Sequence, residues 1–506
     1  MLQEKPAAPG ECETRLPFKT KLAFGIGGMG ELVFLGMFNT FITIYYNQAL
    51  GLANSLIGVA IMLAMVGDAI SDPVVGMMSD RCHSRLGRRH PFLLAAPLPL
   101  AISLYFIFSP PDIFTDGQGG EPIQILLFAW LACWTIAARI FLTLYTIPHH
   151  ALGGELTQDS NGRSQLFSIN AIFSYASGAI FALTVWGVFL AGESVLPDGN
   201  VVPKHLDASA YPPVVLLACV IVLVAIYLSA FGTQDRVKHL SKPDKDREGM
   251  SLRVFYRQLK GAFKNPNYAS LMLGFFLLMI SVGLSETLSI FIYTFFWELK
   301  PEQIKWFGVA MVPAVIIGAG AAPILMRKFD RKPTLIGGLV GLLLFTQLPI
   351  NLRLFGLMPD NGSEILLPLL LTNFLLGSVC AAIGTVAVLS MLGDIADENE
   401  SLTGLREEGL IYSARAFFAK ASNSFGHLIG GIMLDVLVVF PFDASPGEVD
   451  ADVIWRLGLL GGPLMCLAGF LALPFYMRYR LSSARHAEIL RELELKTYRV
   501  AEPVHD

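Results

Sequence analysis

The sequence predicts an all-α integral membrane fold of about twelve spanning helices in two six-helix halves. Three observations carry this expectation. Hydrophobic residues make up 54% of the 506-residue chain, charged residues only 15%, and mean hydropathy is +0.56. A typical soluble protein carries roughly 25% charged residues. The apolar residues fall in blocks of about 20, the length a helix needs to cross a bilayer. Finally, one long polar stretch, 232–266, divides the chain into parts of similar length.

Hydropathy places spans near 20–47, 54–79, 91–109, 122–148, 164–191 and 212–231, then near 267–296, 304–325, 334–351, 365–393, 411–440 and 454–477. The domain plan is an N-terminal half, 1–231, with its tail 1–20; a central loop, 232–266; a C-terminal half, 267–477; and a tail, 478–506. A basic loop follows the second span of each half: Asp80-Arg81 to Gly87-Arg88-Arg89-His90-Pro91 in the first, Arg327-Lys328-Phe329-Asp330-Arg331-Lys332-Pro333 in the second. Two halves with matching loops form the repeat layout of a rocking transporter.

Lys and Arg set the orientation. Most lie in 80–91, 232–266, 326–334 and the tails, whereas the opposite loops hold Lys204, Lys300 and Arg353. By the positive-inside rule both termini and the central loop are expected in the cytoplasm, in a plasma (inner) membrane. The polar N-terminus lacks a signal peptide's apolar core, so the first span is expected to direct insertion. The stretch Tyr476–Leu495 is charged and amphipathic and predicts a surface helix. The string Gly25-Ile26-Gly27-Gly28-Met29-Gly30 matches a nucleotide fingerprint but lies inside an apolar span, where close helix packing explains it.

Polar groups within spans are costly and mark sites. Asp68 and Asp72 stand four residues apart in the second span, on one helical face about 6 Å apart along the axis. Neighbouring carboxylates suit a proton carrier or an oxygen-rich sodium site; alternatively Asp72-Pro73 caps a kink, or one aspartate meets Arg81 at the membrane edge. Glu31 lies about 16 Å deep in the first span. Arg139 sits near mid-depth in the fourth, with Thr146 on the same face. Arg139 either pairs with Glu31, the first candidate, or meets an anionic group of the substrate. Ser281, Ser285, Ser289 and Tyr293 recur every four residues in the seventh span, with Glu286 beside them. Lys420, Asn423, Ser424 and His427 share a face of the eleventh, and Lys420 is a candidate counter-charge for the two aspartates.

Other classes find little support. A net charge of −4 says nothing of nucleic acid, and six scattered cysteines have no metal-ligand spacing. HExxH and GxSxG motifs are absent, so enzyme chemistry is not expected. No cofactor is expected beyond a coupling ion, Na+ or H+. The expected partners are a small-molecule substrate and the lipid bilayer, with the chain acting as a monomer.

Three motifs give the chain a family resemblance. The first is Asp68-Ala69-Ile70-Ser71-Asp72-Pro73-Val74-Val75-Gly76, running to Arg85-Leu86-Gly87-Arg88-Arg89-His90-Pro91. The second is Pro148-His149-His150-Ala151-Leu152-Gly153-Gly154-Glu155-Leu156-Thr157, with Asp159 and Arg163. The third is Gly393-Asp394-Ile395-Ala396-Asp397-Glu398, then Arg406-Glu407-Glu408-Gly409, Tyr412-Ser413 and Lys420. Together they resemble the glycoside–pentoside–hexuronide:cation symporters, the melibiose-permease-like family of the major facilitator superfamily. The resemblance implies the major facilitator fold, alternating access and cation-coupled transport of a sugar or glycoside. It implies that Asp68 and Asp72 hold the coupling cation, sodium or proton, with Lys420 near it. It also implies that Arg85, Arg88, Arg163, Asp394 and Arg406, joined by Arg81, form a cytoplasmic gate. Glu31, Arg139, Thr146, His149, His150, Lys420 and His427 are expected around the substrate cavity. The family's sugar-binding aspartates are missing, replaced by Leu32 and Thr146, and its neighbouring aromatic by His149 or His150. A lysophospholipid, or another amphiphilic or anionic small molecule, is the alternative cargo.

Overall fold

Among the described residues, twelve helices are long and apolar enough to cross a membrane. The computed structural model describes residues 16–115, 123–157, 159–196, 199–239, 260–404 and 408–501. The spanning helices are α1 Phe18–Ala49, α2 Asn54–Arg81, α3 His90–Thr115, α4 Gln124–Leu156, α5 Gly162–Phe189 and α6 Ala208–Val237. They continue as α7 Pro266–Phe296, α8 Pro301–Phe329, α9 Arg331–Leu354, α10 Leu366–Thr403, α11 Ile411–Val438 and α12 Ala451–Arg478. A terminal helix, α13 Ser483–Ala501, starts several residues later than the amphipathic pattern predicts. Strands β1 Glu193–Val195 and β2 Val201–Pro203 pair antiparallel in the α5–α6 connection. Most of the central loop lies outside the described residues.

The helices stop where local chemistry stops them. Asn265 caps α7, its side chain accepting from the amides of Asn267 and Tyr268 at 2.8 and 3.2 Å. α1 and α7 each end in a five-residue π-turn, Tyr45–Ala49 and Ile292–Phe296. So do α5 and α11, with Val185–Phe189 and Leu434–Val438. The wider turn thus recurs six helices apart.

The chain forms two compact units. The first contains Met1–Ile42, Gly67–Phe189 and Ala208–Gly249; the second contains Thr43–Val66, Leu190–Asp207 and Met250–Asp506. The cut therefore differs from the sequence plan at two stretches, 43–66 and 190–207. A physical reason for the first is visible inside the second unit. The Asp435 carboxylate, at the end of α11, accepts from the Asn54 and Ser55 amides at 3.1 and 2.7 Å and from the Asn54 side chain at 3.0 Å. Unpaired amides at a helix start carry partial positive charge, which a carboxylate satisfies. A Cβ on Gly431 would lie 2.2 Å from the Asn54 carbonyl, so only glycine permits this approach. For the second stretch, buried His205 contacts Thr294 of α7 at 2.9 Å.

Close packing also explains the glycine string of α1 in the first unit. A Cβ on Gly27 would come within 2.3 Å of the Tyr145 hydroxyl, and one on Gly30 within 2.8 Å of Ile226. The α1 glycines bring α4 and α6 close, as small residues do in membrane bundles.

The matching loops make matching contacts. In the first unit Arg88 and Arg89 both bond Glu155, near the end of α4, at 2.9 and 2.8 Å, and buried Arg89 also bonds Asp80. In the second, Arg331 bonds Asp394, near the end of α10, at 3.0 Å. Each half thus ties the loop after its second helix to a carboxylate of its fourth. Asp394 and Asp397 also meet His486 of α13, at 3.5 and 2.8 Å, which seats the terminal helix on α10.

Candidate functional site

In the first unit, α2 and α4 bring together four polar side chains at membrane depth. Asp68 is 1% exposed and Arg139 5% exposed. The Arg139 guanidinium forms an ion pair with Asp68 through Nη2 and Oδ2. Thr143, one turn along α4, places its hydroxyl between the two carboxylates. It lies 3.3 Å from Asp68 Oδ1 and 2.9 Å from Asp72 Oδ1. The Arg139 guanidinium also lies over the Phe38 ring of α1, 5.7 Å from its centroid.

The local sequence dictates this arrangement. Asp68 and Asp72 share a face of α2, as do Arg139 and Thr143 of α4, because both pairs are four apart. Pro73 is accommodated inside α2, which runs on unbroken to Arg81. It has no amide to donate to the carbonyl of residue 69, so one rung of the helix ladder is missing beside the aspartates. An unpaired charge at this depth is costly, and two opposite charges in contact relieve much of that cost.

The expected Glu31–Arg139 pair is not formed. Asp68 takes the guanidinium, and Glu31 instead faces His150, with His150 Nε2 3.7 Å from Glu31 Oε2. Asp68 thus has a counter-charge within its own unit. Both Glu31 and His150 remain partly exposed. Thr146, three residues beyond Thr143, is buried. His149 belongs to the core: fully buried, stacked on Phe24 at 4.2 Å and Tyr145 at 5.0 Å, its Nε2 3.1 Å from the Phe24 carbonyl. Its neighbour His150 is the one that presents a ring to solvent-accessible space.

The second unit holds a different polar pair. His427 of α11 is buried, and its Nε2 lies 3.2 Å from Glu286 Oε2 of α7. Asn423 donates to the same carboxylate oxygen at 3.2 Å, and Thr287 lies 2.7 Å from His427 Nδ1. Glu286 is about one-third exposed, so His427 reaches accessible space through it. The helices meet this closely because a Cβ on Gly283 would lie 2.1 Å from the Asn423 carbonyl. Ser285, Ser289 and Tyr293 line a cavity of about 230 Å³ in this unit, with Thr346, Asn373 and Phe374. Lys420 is half-buried on α11.

The gate residues stand apart in chemistry. Arg81, Arg85 and Arg163 are exposed, whereas Arg88 and Asp394 are bonded within their own units as described above. Arg406 lies outside the described residues. Sequence reasoning passed over Thr143 and His486, and it named Glu286 and Arg89 without giving either a partner. The spacing from Arg139 to Thr143, equal to that from Asp68 to Asp72, was the available signal for Thr143.

Twelve spans with a buried charge cluster on α2 and α4 define a polytopic transporter of the major facilitator fold. The family profile described as MFS/sugar transport protein matches residues 23–483, and the chain belongs to that family. It is a transporter of the major facilitator type. An Escherichia coli relative, 25% identical over 95% of each chain, bears the provisional name glycoside/cation symporter YagG. The isoprimeverose transporter of Lactiplantibacillus pentosus is 20% identical over 83% of this chain and 80% of its own. The crystal structure of a D-xylose-proton symporter shares the fold, with a TM-score of 0.60 at 16% identity over 92% of this chain and 98% of the other.

Proposed function

We propose that the protein is a cation-coupled secondary symporter of a sugar or glycoside, with Asp68, Asp72 and Thr143 forming the seat of the coupling ion. The observation that carries this reading is the Thr143 hydroxyl set between two carboxylates inside membrane-spanning helices. Such a cluster changes charge when an ion or proton arrives, and it sits where a charge change is most costly. Alternating access then follows from differential binding: ion and substrate each favour one state of the carrier, and linkage makes the preference mutual. The names of two relatives, a glycoside/cation symporter and an isoprimeverose transporter, support a saccharide cargo.

On this reading Glu31 and His150 supply substrate hydrogen bonds in the first unit. They compensate for the missing family aspartates by offering a carboxylate and an imidazole on accessible surfaces of α1 and α4. The Glu286 carboxylate plays the same part in the second unit, held by Asn423 and His427. The distribution of Lys and Arg supports cytoplasmic termini in a plasma membrane.

The test is transport in proteoliposomes with labelled pentosides and hexosides, under imposed sodium and proton gradients. Accumulation above equilibrium that collapses with an ionophore is expected for at least one sugar. Failure of every sugar, together with gradient-driven movement of a lysophospholipid, would overturn the saccharide reading.

A further inference from the structure

We propose that the second unit carries a binding site for a monoanionic amphiphile, a carboxylate head on an apolar chain, with Arg415 of α11 receiving the head. The site is separate from the ion seat and from the polar cavity beside Ser285 and Ser289.

Four helices of this unit, α7, α9, α10 and α11, line a cavity of about 340 Å³. Its wall is apolar, with Phe275, Leu278, Leu339 and Val388, and among the described residues lining it Arg415 alone carries a charge. It shares only Leu342 with the polar cavity. The guanidinium has no carboxylate partner among the described residues. It lies over the Phe275 ring, 5.1 Å from its centroid, and its buried Nε has no acceptor. Tyr412, one turn before it, donates its hydroxyl hydrogen to the Leu389 carbonyl at 3.1 Å. The wall's own hydroxyl, Thr385, donates to the Ala381 carbonyl at 2.9 Å. Arg415 lies one turn into α11, about 6 Å from its start, at the end of the unit where Arg331 bonds Asp394. From that end the α9 wall, Leu335 to Leu342, runs inward for about 10 Å.

These features select the ligand's chemistry. A charge inside a spanning helix without a counter-charge is costly, so the guanidinium calls for an anion. A monoanion cancels its single charge, whereas a dianion would leave a net negative charge against an apolar wall. A guanidinium binds a carboxylate through paired N–H groups, and Nε–H is one donor suited to such a pair. The rest of the ligand must be apolar: sugar hydroxyls facing this wall would lose their partners to no gain. The volume falls near the lower end of small-molecule pockets, about 300–1,000 Å³, and suits one chain. A charged group near the helix start, with apolar surface running inward from it, has the polarity of an amphiphile.

The test uses the full-length protein in phosphatidylcholine nanodiscs and a decanoate probe with a photoreactive diazirine on its chain. Saturable labelling is expected on peptides carrying 275–282 and 335–342, displaced by decanoate but not by decanol or acetate. Arg415→Gln should weaken that labelling roughly tenfold or more, the loss of a charge-assisted pair, and Arg415→Lys should keep part of it. Ala419→Leu fills the wall one turn from Arg415 while keeping the charge, and should also abolish the labelling. Displacement by decanol as good as by decanoate would overturn the proposal, because the charge would then have no part. Equal displacement by acetate would reduce the site to one for a bare anion, and stronger displacement by decyl phosphate would contradict the monoanion. Labelling confined to lipid-facing surfaces, or undiminished in Arg415→Gln, would overturn it too. If Arg415→Gln does not fold, the order of competitors on the wild type and the Ala419→Leu result decide.

Discussion

Each unit holds a polar pair in its spanning helices with at least one buried partner, and the two pairs differ in kind. Asp68–Arg139 joins a carboxylate to a group that never loses its charge. Glu286–His427 joins a carboxylate to the one side chain that ordinarily titrates near neutrality. Neutral His427 donates from Nε2 to Glu286 and accepts at Nδ1 from Thr287, whereas the cationic ring donates at both nitrogens. The first pair is therefore a fixed electrostatic element. Exposure follows the same division: Asp68 is sealed, whereas one-third of Glu286 is accessible. A sealed pair suits ion coupling, and an accessible one suits a polar cargo.

The largest effect should come from breaking the fixed pair. Arg139→Ala leaves Asp68 buried without its counter-charge, which costs about 3–5 kcal/mol. Adding Asp68→Asn should recover most of that loss, and a double-mutant cycle on thermal or denaturant unfolding in detergent measures the coupling. Near-additive losses would mean that the two charges do not depend on each other.

The second unit should respond less. Glu286→Ala removes the acceptor from buried His427 and should cost about 1–3 kcal/mol, the penalty of an unsatisfied buried group. Glu286→Gln keeps an acceptor and should stay near wild type in stability while weakening substrate binding. Equal stability losses in both variants would show that the carboxylate charge holds the bundle together.

Asp435→Ala probes the contact that places 43–66 in the second unit. Loss of the α2 cap should cost about 0.5–2 kcal/mol, and Asp435→Asn should cost less. Unfolding midpoints with the Asp435 variants distinguish the two; no change in either would mean that the cap is energetically idle.

The smallest effect at neutral pH belongs to His205, a buried histidine in the connection between α5 and α6. Burial lowers its pKa from the ordinary 6.5 to about 3. The unfolded chain therefore binds the extra proton first, between these two values. His205 favours folding fully above pH 6.5, and this contribution declines as pH falls toward 3. His205→Gln should flatten that part of the stability–pH profile. A profile that instead weakens on raising the pH through 6.5 would contradict the assignment.

Much of the fold was legible because the physics of the bilayer writes itself into blocks of apolar sequence. The twelve spans agree with hydropathy to within a few residues at many ends, and the basic loops were visible as paired motifs. Asp68 and Asp72 stood out as charges inside an apolar run. What hydropathy does not encode is rotation about each helix axis. Glu31 and Asp68 both lie at depth, and only the packed faces of α1, α2 and α4 decide which one receives Arg139. Thr143 was hidden for a chemical reason: an uncharged threonine inside a helix commonly bonds its own backbone, as Thr135 does to Leu131 at 2.7 Å. His149 and His150 looked alike in sequence, yet a single step of about 100° around α4 puts one in the core and one at the surface. The α2 cap by Asp435 joins residues too distant in sequence for any local pattern to signal.

The most direct measurement of the central claim is transport by Asp72→Asn in proteoliposomes loaded with the sugar that the wild type accumulates. Asparagine retains the side-chain shape and an oxygen toward Thr143 but has no carboxylate to take up an ion or proton. The account predicts that gradient-driven accumulation disappears while sugar exchange across equilibrated vesicles continues. Accumulation by Asp72→Asn equal to that of the wild type would contradict the assignment of the coupling ion to this cluster.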